Sequence, residues 1–131
     1  MIFIDSNMPM YLVGAAHPNK EAARDALERC ILRGERLVTD VEVLQEILRR
    51  YHAIRRPGAI QPAFDAVLGV VDEVYPVEPV DIERAKALML GLVPVSARDA
   101  VHLAVMERRG VPRVLSFDAG FDAVGWVERL G

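Results

Sequence analysis

A chain of 131 residues with a net charge of −3 is long enough for one domain that buries about two-thirds of the surface its unfolded form exposes. With 52% hydrophobic, 27% charged and only 6% aromatic residues, disordered and fibrous classes are excluded and a compact α/β protein is expected. The negative balance also excludes a protein that coats nucleic acid by bulk electrostatics. No run reaches the ~18 to 20 apolar residues that span a bilayer, and Met1 to Asp5 lacks the basic start of a signal peptide. Cys30 has no partner within the chain. A cytoplasmic location without membrane contact is therefore expected. The cations are fourteen arginines against two lysines, Lys20 and Lys86, and the pairs Arg49-Arg50, Arg55-Arg56 and Arg108-Arg109 permit a phosphate-bearing substrate.

The opening run Met1-Ile2-Phe3-Ile4 has the β-branched and aromatic content of a strand buried on both faces, and it stops at Asp5. In an open α/β sheet the carboxyl edge of the strands is where ligands bind. An ionised carboxylate beside a core is costly without a cationic partner, so Asp5 is either a site residue or a local turn cap. Met10 to Gly14 predicts a short helix. Pro18-Asn19 starts a longer one to about Arg33, with Gly34 as its stop. Leu37-Val38-Thr39 is a second strand delivering Thr39 as an N-cap, and Thr39-Asp40-Val41-Glu42 matches a capping box, which gives Glu42 a structural job. The next helix keeps Leu44, Ile47, Leu48 and Tyr51 on one side. Glu46 falls beyond Val43 at the margin of that stripe, where a pair with Arg50 one turn on is the plain reading.

Arg56-Pro57-Gly58 breaks the helix, and Gln61-Pro62 to about Val71 predicts another. Val74 to Val77 is a third strand confined by Pro76 to an edge or a strand end. A helix follows from a cap at Asp81 to about Leu90. Ser96 to Met106 opens with a second capping-box pattern and is apolar almost all round, which predicts a buried helix. Asp99 lies in its first turn, facing inward near the positive helix terminus, as a capping acid or a site acid. His102, on the less crowded side, reads as a bystander. Val114 to Phe117 is another strand that stops at an acid, Asp118, itself readable as the cap of a turn. Asp122 reads as a solvated loop charge, and Gly125 to Val127 as a last edge strand.

This alternation predicts an α/β fold, one domain over residues 1–131, with a parallel sheet covered on both faces. If the first strand and the Val114 to Phe117 strand are neighbours, Asp5 and Asp118 share one edge and the start of the Asp99 helix can face them. Carboxylates that crowded cannot all stay ionised unless a cation binds, and hard oxygen donors suit Mg²⁺ or Mn²⁺. There is no Cys/His set for zinc. Acid-held divalent ions open to solvent commonly activate water and bridge the oxygens of a phosphodiester.

Asp5 after Ile2-Phe3-Ile4, Glu46 in the helix after Leu37-Val38-Thr39, Asp99-Ala100 with Leu103-Ala104, and Ser116-Phe117-Asp118 followed by Phe121-Asp122 together resemble the spaced acids of PIN-domain nucleases, and in particular the VapC toxins of toxin–antitoxin pairs. The resemblance covers the whole chain. It implies a three-layer α/β/α sandwich on a short, mainly parallel sheet, Mg²⁺- or Mn²⁺-dependent endoribonuclease activity on RNA, homodimers, and inhibition by a VapB-like antitoxin. It also implies catalytic roles for Asp5, Glu46, Asp99 and Asp118, metal ligation by Asp5, Asp99, Asp118 and Asp122, and support from Asn7 and Ser116. Two departures stand out: Phe117 occupies a position where a smaller residue is common, and Glu42 competes with Glu46 as the helix acid. A non-catalytic PIN-like module that binds RNA or protein is a rival reading. A phosphoacceptor receiver domain is a poorer one, since it needs paired acids after the first strand and a late lysine.

Overall fold

The computed structural model describes Met1–Gly131. Five short strands, β1 (Ile2–Ile4), β2 (Leu37–Asp40), β3 (Glu73–Tyr75), β4 (Arg113–Leu115) and β5 (Glu128–Leu130), form one sheet in the order β3-β2-β1-β4-β5. Every pairing is parallel. Six helices cover it: α1 (Asn7–Val13), α2 (Pro18–Leu32), α3 (Val41–Ala53), α4 (Ile60–Leu68), α5 (Pro79–Leu90) and α6 (Ala97–Arg109). The result is the expected three-layer α/β/α sandwich, in which α1 packs on α2 and α4 while α5 packs on α6. This strand order differs from the 2-1-3-4-5 order of receiver domains.

The central place of β1 follows from its sequence. Ile2, Phe3 and Ile4 are all buried, as a strand with neighbours on both edges and helices on both faces requires. Around them Met8, Leu37, Ile47, Leu103, Met106 and Phe121 complete the core, each such side chain contributing about 2 kcal/mol on burial. Because Ile4 lies beside Leu115 in the ladder, the residues that follow, Asp5 and Ser116, emerge side by side. Sheet order therefore brings together two chain segments more than a hundred residues apart.

Several local expectations change. The first helix starts at Asn7, so only Asp5 and Ser6 connect it to β1. The last strand is Glu128–Leu130 rather than Gly125 to Val127, because a Val127 N–H bond to the Val124 carbonyl holds that stretch in a turn. Asp81 is not the cap of α5. Glu78 is, with Asp81 returning a bond to the Glu78 N–H in a reciprocal capping box. Asp81 also receives both arms of Arg108, at 2.7 and 2.8 Å, which fastens α5 to α6.

The entry to α3 matters most. Thr39 does not cap it: its hydroxyl donates to the Ile4 carbonyl at 2.8 Å, stitching β2 to β1. Asp40 caps instead, accepting the Val43 N–H at 3.0 Å, so Glu42 belongs to no capping box. The inward stripe of α3 then reads Val43, Glu46, Ile47 and Tyr51, with Leu48 45% exposed. Glu46 lies within that stripe, not at its margin.

Candidate metal centre

Asp5 leaves β1 at the carboxyl edge of the sheet and is only 3% exposed. A polar web fixes its carboxylate: Oδ1 accepts the Ser6 N–H at 2.8 Å and Oδ2 accepts the Ser116 hydroxyl at 2.6 Å. Asn7 lies between the two segments. Its Nδ2 donates to Ser116 Oγ at 3.1 Å and its Oδ1 accepts the Phe117 N–H at 3.3 Å. Ser116 Oγ further accepts the Asp118 N–H at 3.0 Å, and Asp118 caps the 3₁₀ turn Ala119–Ala123 through the Gly120 N–H at 2.8 Å. Asn7 and Ser116 thus orient the acids.

Glu46 reaches the same place from α3. One of its oxygens accepts the Ser6 hydroxyl, and the other meets His102 Nε2 at 2.7 Å. This displaces the expected surface pair with Arg50. His102 is no bystander: it is fully buried, and its Nδ1 meets Asp40 Oδ2 at 2.8 Å, so one imidazole bridges the end of β2 and the middle of α3. The Phe3 ring packs beside it, with centroids 5.2 Å apart. A local signal existed, since His102 stands three residues after Asp99 and therefore shares its helix face. Its carboxylate partners, however, lie about sixty positions earlier in the chain.

The electrostatics follow from this packing. Burial pushes the Asp5 carboxyl up from the ordinary aspartate value, opposed by His102 and the Ser116 hydroxyl. Burial also works against a charged Glu46, yet the His102 and Ser6 bonds hold its carboxyl below the usual glutamate value. His102 is raised well above an ordinary histidine: burial opposes its charge, but Asp40, Glu46 and Asp5 outweigh it. Burial raises Asp99 as well, and the hydrogen-bonded Asp118 and the charge of Asp5 carry it further, to about 7.

Asp5, Glu46, Asp99 and Asp118 line one cleft of about 490 Å³, with Arg49, Arg50 and Arg98 also in its wall. None of these three arginines is in an ion pair. One ligand atom each from Asp5, Glu46 and His102 lies within 4.8 Å of the others. Both His102 nitrogens already serve carboxylates, so the histidine supports the centre and the oxygens face the cleft. The donor set fits a divalent Mg²⁺ or Mn²⁺: hard carboxylate oxygens from Asp5, Glu46, Asp99 and Asp118 gathered at one partly buried cleft. Asp122 does not join this set. It is exposed and held by both arms of Arg129, at 2.9 and 3.0 Å. Glu46 lines the cleft and Glu42 stays outside it.

The family model for the PIN domain matches residues 2–127. The chain is 57% identical over 130 residues to VapC ribonuclease Mb1869c of Mycobacterium bovis and to ribonuclease VapC13 of Mycobacterium tuberculosis, covering 99% of each chain. Ribonuclease VapC23 of Mycobacterium tuberculosis is 40% identical over 118 residues, 90% of this chain and 93% of that one. Among solved structures, the sarcin-ricin loop cleaving toxin VapC20 of Mycobacterium tuberculosis superposes with a TM-score of 0.79 at 26% identity, covering 98% of both chains. FitAcB of Neisseria gonorrhoeae shares the fold, with a TM-score of 0.69 at 15% identity over 100% of this chain and 97% of that one. Matched from its first strand to its last turn, with end-to-end relatives at more than half identity, the chain belongs to the PIN-domain family, among the VapC ribonucleases.

Proposed function

We propose that this chain is a divalent-metal-dependent endoribonuclease acting as the toxin of a VapBC pair. One observation carries the reading: four acids from β1, α3, α6 and the end of β4 line a single cleft that also holds three unpaired arginines. A bound Mg²⁺ or Mn²⁺ supplies water activation and neutralises charge developing on a phosphodiester. Asp5 and Glu46 would hold it from one side, with Asp99 and Asp118 adding oxygens from the same cleft. Ser116 and Asn7 keep Asp5 oriented, and His102 does the same for Glu46. Asp99, whose carboxyl is raised to about 7, would have to give up its proton to act as a ligand. Arg49, Arg50 and Arg98 grip backbone phosphates flanking the scissile bond, a role for which the planar guanidinium is suited.

The same reading places the protein in the cytoplasm as a homodimer silenced by a VapB-like antitoxin. Support for a protein partner comes from fold neighbours solved as toxin–antitoxin assemblies from Rickettsia felis and Klebsiella pneumoniae. The test is purified protein on total RNA with Mg²⁺, Mn²⁺ or chelator. Cleavage is expected with metal and is lost with chelator. Asp5→Asn and Asp99→Asn should lower it at least a hundredfold, on the order of a lost charge-stabilising group, with unchanged circular dichroism. Wild-type rates in either variant would refute the assignment, and an inert wild type would favour a non-catalytic binding module.

A further inference from the structure

A second cavity, of about 530 Å³, adjoins the metal cleft and shares Asn7, Met10 and Arg50 with it. Its remaining wall is unlike the first: Tyr11, His17, Tyr51 and Ile54 present rings and aliphatic surface, and Arg56 closes one side. Tyr11 follows Asn7 by four residues, about 6 Å of helix rise, so the residue that braces Asp5 and the one whose ring lines this cavity share one face of α1. That ring is held in place. Its edge meets Phe117 with centroids 5.4 Å apart at 89°, and the His17 ring lies 5.0 Å away at 33°. Phe117 thereby acts as the buttress of Tyr11. Arg50 and Arg56 are exposed and engage no carboxylate.

Braced aromatic rings beside free guanidinium groups are the chemistry that receives an unstacked nucleobase and its phosphate. A purely apolar ligand would leave the two arginines without a counterpart, and a base in a paired duplex would first have to be unpaired and unstacked, at a cost an unpaired base does not meet. We propose that this cavity is the subsite for an unpaired base of the RNA strand adjoining the phosphate in the metal cleft, with Tyr11 and His17 as the stacking platform and Arg50 and Arg56 on its phosphates. The proposal rests on the ribonuclease reading and adds which residues of this chain receive the base beside the metal cleft.

The experiment uses a short single-stranded RNA that the wild-type protein cuts in Mg²⁺, or any unstructured RNA of equal length if it cuts none. Each position in turn is made abasic, and in a parallel series each is replaced by fluorescent 2-aminopurine and bound to the Asp99→Asn variant in chelator. One position flanking the cut should show cleavage reduced about tenfold or more when abasic, the size expected of one lost stack, and quenched fluorescence at the same position when bound. Tyr11→Leu should abolish the quenching and the abasic discrimination, while Tyr11→Phe, which keeps the ring, should preserve both. Cleavage that is indifferent to abasic substitution at every flanking position overturns the base subsite and leaves the nuclease standing, with no variant needed. Quenching by a protein that cuts no RNA supports the subsite and removes the nuclease reading; neither quenching nor cleavage removes both.

Discussion

One buried imidazole, His102, meets the Asp40 and Glu46 carboxylates at 2.8 and 2.7 Å and so holds Glu46 at the cleft. Asp5 and Asp118 can be read from sequence because each ends a short apolar run, and strand ends are where open sheets bind ligands. Glu46 cannot be read that way, since a helical wheel counts an acid as outward-facing. Its burial depends on a histidine 56 positions later in the chain, a pairing no local pattern reveals. His102→Ala leaves Asp40 and Glu46 buried without their shared donor, so urea unfolding of the metal-free protein should show a loss of about 3 kcal/mol, typical of breaking a buried charged pair. Asp99 gives a pH signature. The folded chain keeps its carboxyl protonated up to about 7, whereas the unfolded chain releases that proton near 3.8. Each step of pH between those values therefore favours unfolding of the metal-free protein. Thermal melts across that window should fall as pH rises, and Asp99→Asn should flatten the slope while raising the melting temperature at pH 7 to 8.

At the scale of elements, helix ends were mostly legible because their signals are local. Ser96 caps α6 by accepting the Asp99 N–H at 3.2 Å, and Gly110 closes it in the left-handed region at φ 68°, as the Arg-Arg-Gly ending suggests. The start of α3 misled for a definite reason. Thr39 and Asp40 are both good caps, and the choice between them was made by the Ile4 carbonyl, which takes the threonine hydroxyl. The stripe differs for a separate reason: Leu48 is half-exposed and Val43 fully buried, so the inward face is centred nearer Val43 and takes in Glu46. The clamp between α5 and α6 gives a prediction independent of the metal. Arg108→Ala strands the buried Asp81 carboxylate, so the denaturation midpoint should drop by the equivalent of about 2 kcal/mol. Arg108→Lys should recover only part of that, because it lacks the two-pronged geometry.

Across the molecule, a chain of net charge −3 concentrates four carboxylates at one edge of its sheet and sets three arginines beside them. Strand order does this work. With β1 between β2 and β4, the ends of three strands deliver Asp5, Asp40 and the Ser116 to Asp118 segment to the same edge, and α3 and α6 bring Glu46, His102 and Asp99 over it. The alternation of strands and helices was enough to expect a parallel sheet. The lateral pairing of the first strand with the fourth was an assumption from sequence and is an observation in the structure. The measurement that bears most directly on this arrangement is a calorimetric titration of Mn²⁺ into the protein in buffers of differing ionisation heat. Binding accompanied by proton release near pH 6.5, weakened at least tenfold in Asp5→Asn and stripped of its proton release in Asp99→Asn, is the predicted result. Equal affinity in the wild type and both variants would contradict a shared metal centre at this edge.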